Sequence, residues 1–406
     1  MPGLILGRGS RNTRSFGFAA SMRPEPGDLI TYSGDGHLIT FAPTGTGKTS
    51  GPVISNALTH PGQLIVLDPK GEVHKATAQA RRDMGQRVHV LDLRDGAETD
   101  SLNPLDLAVY SGTDPAAIAR SFAAELIERA PDERDRFWND WAETVITGGV
   151  AWVLADKPEK CRLSALFDLF TEDDAIYTIS CLFDLKQLKN RAARAAFSSF
   201  LQLPSENTRP SVLGTALSHL RLFDSDLSRK LTDKSTIDIQ ALIKGEPMSL
   251  YIIVPPARLT AYRPLLRIWL SGLILALTHR QSVPEHRTLM LCDEIGNLGR
   301  IDAFLTAATL MRSWGLTIWT FWQNAAQLQV YGAQANTLVD NAGVIQAFGP
   351  RNLRMAQDFA NLVGGVAPHE IMAMAKDEQI LLIEGTTMRC RQARYYNDAH
   401  FSSAKA

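Results

Sequence analysis

The sequence predicts an α/β protein with a mainly parallel central sheet flanked by helices and a helical insertion in its middle third. Three observations predict it. Short apolar, β-rich runs recur along the chain with helical patterns between most of them, as in a parallel sheet covered on both faces. The alternation stops between about residues 112 and 235, where only helical stretches are found. One of the apolar runs leads straight into a glycine-rich loop of the kind that cradles phosphates.

Taken in order, residues 1–27 are polar, with Gly, Arg and Pro, and are expected to be without stable structure. Strand-like runs follow at Leu29 to Tyr32, His37 to Phe41, Leu64 to Leu67 and Arg87 to Leu91. After the helical region come Ser249 to Val254, Thr288 to Cys292, Leu316 to Phe321 and Gly343 to Phe348. Helical periodicity is read over 115–129, 137–154, 163–170 and 187–202. The expected division is a nucleotide-binding domain over 28–155 and 218–406, with the helical insertion at 156–217. Ile268 to Thr278 is an apolar stretch too short for a membrane span and preceded by Arg263 and Arg267, so a buried helix is expected.

The bulk properties are those of a globular domain: 45% hydrophobic and 21% charged residues, with a net charge of −1. That balance supplies no overall attraction for nucleic acid, so any such contact must use local basic patches. The 4 cysteines, Cys161, Cys181, Cys292 and Cys390, have no paired spacing, which fits buried thiols in a reducing compartment. His60 and His74 flank a strand with nothing nearby to complete a ligand set. No apolar leader opens the chain, so a cytoplasmic chain is expected.

The loop is APTGTGKT at 42–49. Gly45 and Gly47 let the backbone turn its N–H groups inward around a polyphosphate held by Thr44, Gly45, Thr46, Gly47, Lys48, Thr49 and Ser50. Lys48 is placed to reach the β/γ-phosphates of ATP, and the Thr49 hydroxyl to ligate Mg²⁺. A helix starting near Gly47 is expected to add its positive end. Ala42 stands where the pattern begins with Gly, and a small residue still fits there. A nucleotide hydrolase also needs a carboxylate at the end of a second buried strand. LMLCDE at 289–294 offers Asp293 to organise the magnesium and Glu294 as general base. Gln323, after the Leu316–Phe321 run, can sense the γ-phosphate or orient water, or simply be a strand-end amide. Arg312 can be an arginine finger reaching a neighbouring subunit, or a solvated helix-end residue.

At this point the sequence resembles the coupling proteins of type IV secretion and conjugation, the TraG/TraD-type DNA-transfer ATPases. The segments that carry the resemblance are APTGTGKT (42–49), VLDPKGE (66–72), SLNPLD (101–106) and RFWNDWAETVITGG (136–149). LYIIVPP (250–256), LMLCDEIGNLG (289–299) and FWQNAAQLQVYG (321–332) complete the set, and the resemblance covers roughly residues 35–395. It implies a RecA-like P-loop NTPase domain with an inserted all-α domain, using ATP and Mg²⁺. It further implies a homo-hexameric ring that moves single-stranded DNA, or a relaxase–DNA complex from the relaxosome, towards the components of a type IV secretion channel. Lys48, Thr49, Asp293 and Glu294 take the nucleotide roles, Gln323 matches the family's glutamine, and Arg312 falls at the place of its intersubunit arginine. Asp68, Lys70 and Glu72 match the second motif, with Lys70 near a phosphate, Glu72 in an interface ion pair, or a structural turn as its open readings.

Coupling proteins usually begin with transmembrane helices, which this sequence does not show. The expectation is therefore association with the inner membrane only through partners or through a missing anchor. Basic candidates for DNA are Lys186, Lys189, Arg191 and Arg194 in the insertion, then Arg351 and Arg354, then Arg389, Arg391 and Arg394. Trp138, Trp141 and Trp152 lie at helical spacing and are expected in the core. Two rival readings remain. One is a RecA-like chromosome or DNA-processing pump, expected to lack the DPKGE and NPLD segments. The other is an ATP-dependent adaptor that recruits protein effectors to a secretion system without pumping DNA. A small-molecule kinase is set aside because no substrate motif is found.

Overall fold

The computed structural model describes residues 3–10, 13–16, 24–110, 112–127, 129, 135–155, 161–204 and 207–401. The described residues form two units: Met1–Asp92 with Lys244–Pro256 and Arg280–Ala406, and Leu93–Ile243 with Ala257–His279.

The first unit is built on a sheet of twelve strands, in chain order β1 (Leu4–Arg8), β2 (Arg14–Phe16), β3 (Leu29–Tyr32), β4 (His37–Phe41), β5 (Leu64–Asp68) and β6 (Arg87–Asp92), then β7 (Met248–Ile253), β8 (Thr288–Cys292), β9 (Leu316–Trp322), β10 (Ala342–Phe348), β11 (Glu378–Ile383) and β12 (Thr386–Arg391). Their order is β3-β1-β12-β11-β10-β4-β9-β8-β5-β7-β6, with β2 also paired to β12. From β10 to β6 every pairing is parallel. Strands β4, β5, β7 and β8 are buried at every residue, which is why they read as continuous apolar runs with no alternation. The parallel sheet expected from the sequence is thus present.

Beyond β10 the sheet turns antiparallel, through β11, β12, β1 and β3. Strands β11 and β12 are joined by Glu384–Gly385, both at positive φ (46° and 82°), the two-residue turn that matches hairpin twist. Strands β1 and β2 occupy a segment expected to lack structure. Within 1–27, residues 1–2, 11–12 and 17–23 lie outside the described residues. Strand β1 is held by Asn56, whose amide oxygen accepts from the Ile5 N–H (2.8 Å) while its nitrogen donates to the Ile5 carbonyl (2.8 Å). A polar chain crosses the core: the Trp319 indole donates to Thr40 Oγ1 (2.8 Å), which donates to Gln346 Oε1 (2.7 Å).

The second unit is helical. Helices Pro104–Tyr110, Pro115–Leu126, Phe137–Ala155, Ser164–Phe170, Ala175–Asp184, Arg191–Leu201, Thr208–Leu220 and Asp226–Thr232 precede Leu259–Leu277. The insertion expected at 156–217 lies inside this unit, which extends well beyond it on both sides, and its expected start at 156 is outside the described residues. The wider limits follow from packing: Leu259–Leu277 lies against 104–110 and 115–126, and the Trp269 indole donates to the Leu102 carbonyl (2.8 Å). In the SLNPLD segment, Asn103 Oδ1 accepts from the Leu105 N–H (3.0 Å), so this motif opens a helix. Trp152 is core, whereas Trp138 is 38% exposed and stacks edge-on with Phe137, contrary to expectation. No helix among the described residues is long and apolar enough to cross a membrane.

Candidate nucleotide site

The site lies at the carboxyl ends of β4, β9, β8 and β5, which are consecutive in the sheet although their order in the chain is β4, β5, β8, β9. Such crossovers open a crevice at the strand ends of a parallel sheet, and loops leaving those ends converge there. The registers align Ile39 with Thr320, Thr320 with Cys292 and Cys292 with Leu67, so Asp293 and Asp68 leave side by side while β4 and β9 run two residues further before the loop and Gln323. The result is a cavity of about 330 Å³ bounded by the 44–50 loop, Asp68 to Glu72, Asp293 and Glu294.

The loop leaves β4 through Ala42, which is fully buried and whose N–H donates to the Trp322 carbonyl (2.8 Å). That contact anchors the loop to the neighbouring strand. Gly45 and Gly47 have φ of 81° and 96°, a region that L side chains rarely adopt, so the turn needs glycine at both. The regular helix expected near Gly47 starts later. Thr49–Val53 form a wide turn that contains Pro52 and a non-helical Gly51, and Ile54–Thr59 is helical. Proline supplies no N–H, so the ladder cannot close normally there.

Five of the expected residues meet. Lys48 Nζ pairs with Glu294 Oε1 and lies 3.2 Å from Asp293 Oδ1. Thr49 Oγ1 donates to Asp293 Oδ2 (2.8 Å), and the Glu294 N–H donates to Asp293 Oδ1 (2.9 Å). Gln323 Nε2 donates to the other Glu294 oxygen, Oε2 (2.8 Å). Glu294 sits at φ 55°, a left-handed conformation that costs a non-glycine residue about 1–3 kcal/mol and marks a functional turn when surrounding bonds enforce it. Burial pushes the Glu294 carboxyl up, but hydrogen bonds from Lys48 and Gln323 outweigh it and hold the group below its usual range. Burial dominates at Asp293 and raises it, against the opposing pull of Lys48 and Thr49.

The Asp68–Glu72 segment divides its labour. Asp68 Oδ2 accepts the His74 N–H (2.8 Å) and shapes the turn through Gly71 at φ 71°. Burial pushes Asp68 up to about 6 despite those backbone bonds, with Asp293 adding to the rise. Lys70 and Glu72 line the cavity, and the Lys70 charge acts on Glu294.

Two residues that fix Gln323 were not singled out in the sequence. Gln327 Oε1 accepts the Gln323 N–H (2.8 Å), and Asn324 Oδ1 accepts the Gln327 N–H (3.1 Å). A Cβ on Gly296 would meet the Gln327 amide at 2.5–2.6 Å, so this glycine makes room for it. The signal lay in the co-occurrence of DEIG and QNAAQ, whose partners touch only in three dimensions.

Arg312 is not brought to this cavity. It precedes β9, at the opposite end of the strands from the loop, and its guanidinium donates to the Asn341 carbonyl (2.5 Å). Two arginines expected to face DNA are instead tied to the phosphate loop: Arg351 donates to the Thr44 carbonyl and Arg394 to that of Thr46 (3.4 Å). Arg389 pairs with Glu378, and Arg391 with Asp377 (3.3 Å).

The donor set fits a magnesium nucleotide. Two positive-φ glycines open the loop backbone, Lys48, Lys70 and Lys376 line the cavity, and the Thr49 hydroxyl and Asp293 carboxylate present adjacent hard oxygens.

Comparison with known proteins agrees with this geometry. The family model described as "Type IV secretory system Conjugative DNA transfer" matches residues 20–367 and 365–406. Protein VirD4 of Agrobacterium fabrum is 24% identical over 415 residues, covering 92% of this chain and 60% of its own length. Protein VirD4 of Rhizobium radiobacter is 28% identical over 294 residues, covering 70% and 41%. The conjugal transfer protein TraG of Escherichia coli is 23% identical over 359 residues, covering 82% and 56%. The chain thus spans about half the length of these relatives. Among solved structures, the plasmid coupling protein TrwB in complex with ADP and Mg²⁺ superposes with a TM-score of 0.67 at 17% identity, covering 100% of this chain and 97% of that one. VirB4 of Thermoanaerobacter pseudethanolicus follows at a TM-score of 0.55 and 14% identity, covering 96% of both chains. The fold is therefore that of a RecA-like P-loop NTPase, and the chain belongs to the type IV secretory system conjugative DNA transfer family.

Proposed function

We propose that this chain is the ATP-hydrolysing motor of a conjugative coupling protein, which delivers single-stranded DNA or a relaxase–DNA complex to a type IV secretion channel. The observation that carries the reading is the convergence of Lys48, Thr49, Asp293 and Glu294 on one cavity at the strand ends, with Gln323 bonded to Glu294. Lys48 is the phosphate cation. Thr49 and Asp293 would hold a magnesium ion, which would supply neutralisation of the phosphate charge. Glu294 is the general base for the attacking water. Gln323 fixes its second oxygen. A phosphate in the loop competes for Lys48, and so frees the Glu294 oxygen that Lys48 now holds.

Arg312 lies a strand's length from this cavity in its own chain, so a role in catalysis requires the cavity of a neighbouring copy, as in a homo-hexameric ring. Placement at the inner membrane would then come from channel partners or from an anchor.

The test is ATP turnover with and without single-stranded DNA, over a range of protein concentrations. Turnover that rises with DNA and more than linearly with protein supports an assembling DNA motor. Tight ATP binding with turnover indifferent to DNA, together with stable complexes with protein effectors, would replace the reading by the adaptor one.

A further inference from the structure

The phosphate-binding cavity has a second wall with no part in the chemistry described above. After β12 the chain folds back over the loop with Arg394 and Tyr396, and together with Lys376, just before β11, they line the same cavity as Gly45 to Ser50. This return is stitched to the loop. The Tyr395 N–H donates to the Ser50 carbonyl (3.1 Å), and Arg394 Nη2 to those of Thr46 and Lys376 (3.4 Å each). Arg394 Nε donates to Gln392 Oε1 (3.1 Å) and Nη1 to the Tyr396 hydroxyl (3.0 Å). A Cβ on Gly47 would come within 3.0–3.2 Å of Gln392 and Arg394, so the close fit also depends on that glycine.

Polarity along the cavity follows from its ends. Lys48 and Glu294 mark where the terminal phosphate reacts, and backbone N–H groups of such a loop cradle the α- and β-phosphates. Tyr395 bonds to Ser50, which follows Lys48 and Thr49 at the end of the loop, where the chain leaves the α- and β-phosphate cradle. There the cavity presents Tyr396, half exposed and the single aromatic residue of its described lining, next to two cations.

We infer that Tyr396 is the stacking platform for the base of the bound nucleotide, that Lys376 meets its α-phosphate, and that Arg394 is a positioning residue which holds the Tyr396 hydroxyl against the loop. The inference rests on the reading that the 44–50 loop binds a nucleotide. Aromatic–base stacking is tolerant of base identity, because every base has a π-face.

Calorimetric titration of the full chain with Mg·ADP and with Mg·tripolyphosphate, which has no base, separates the two ideas. Tyr396→Ala is expected to weaken ADP about tenfold while leaving tripolyphosphate unchanged, and Tyr396→Phe to retain most of the ADP affinity. Lys48→Ala is expected to weaken both ligands. Unchanged ADP affinity in Tyr396→Ala, or an equal loss for both ligands, overturns the base subsite while the loop reading stands. Unchanged affinity of both ligands in Lys48→Ala overturns the loop reading itself, and this inference with it.

Discussion

Replacing Gly296 by Ala should slow ATP turnover without unfolding the protein or weakening nucleotide binding. Gly296 touches nothing that reacts. Its missing Cβ is the space occupied by the Gln327 amide, 2.5–2.6 Å from where the methyl carbon would sit. The amide ends a flexible side chain and can swing away, so the fold is retained. What is lost is the bond from the Gln323 N–H to Gln327 Oε1 (2.8 Å), and with it the aim of Gln323 Nε2 at Glu294 Oε2 (2.8 Å). A hydrogen bond to a charged group contributes about 1.5–3 kcal/mol, which, if felt fully in the transition state, is about 10- to 150-fold in kcat. The assay is steady-state ATP hydrolysis paired with ADP binding. The expected result is a kcat lowered in that range with an unchanged Kd. Gln327→Ala should show the same deficit, and the double variant no more than either alone, since both remove one interaction. A Gly296→Ala protein with full kcat, or a double variant whose losses multiply, would refute the chain from Gly296 to Glu294.

Three further outcomes are expected. Burial holds His37 down at about 4, with nearby Arg312 and Arg287 adding and the Ala307 carbonyl opposing. Its folded pKa lies below the unfolded 6.5, so the unfolded chain binds the proton first. The associated stability, about 3 kcal/mol, is present above pH 6.5 and lost as pH falls towards 4. Urea midpoints of the parent and His37→Asn should therefore converge over that window, and parallel curves would contradict it. Trp319→Ala removes a fully buried ring stacked on Phe321 (centroids 5.4 Å apart) and the donor to Thr40. It should cost about 3–5 kcal/mol by denaturant unfolding, and a loss below about 1 kcal/mol would mean the core is not packed as described. If Arg312 acts between copies, mixing inactive Arg312→Ala with inactive Lys48→Ala should restore part of the turnover. A mixture that stays as inactive as its components would remove Arg312 from the site.

What could be read from the sequence followed what chain-local chemistry encodes. The parallel strands were legible because β4, β5, β7 and β8 are buried on both faces and carry unbroken apolar runs. The β11–β12 hairpin was not, because its turn is Glu384–Gly385 in place of a stronger turn pair, and β12 alternates Arg389 and Arg391 with buried Met388 and Cys390. Lys48, Thr49, Asp293, Glu294 and Gln323 were legible because each follows a strand at a characteristic spacing. Gln327 and Gly296 act only through each other, and Arg394 and Tyr396 reach the loop from across the chain, so no local pattern announces them. Arg351 and Arg394 look like any solvated basic residues in one dimension; only the fold turns them onto loop carbonyls.

The most direct test of the central claim, that this cavity binds a magnesium nucleotide and that Glu294 activates water in it, is to measure Mg·ATP binding and turnover side by side in the parent and Glu294→Gln. General-base catalysis contributes about 10²–10⁴-fold, so Glu294→Gln should bind ATP at least as tightly as the parent while losing turnover by that factor. A Glu294→Gln protein that hydrolyses ATP at the parent rate would contradict the assignment.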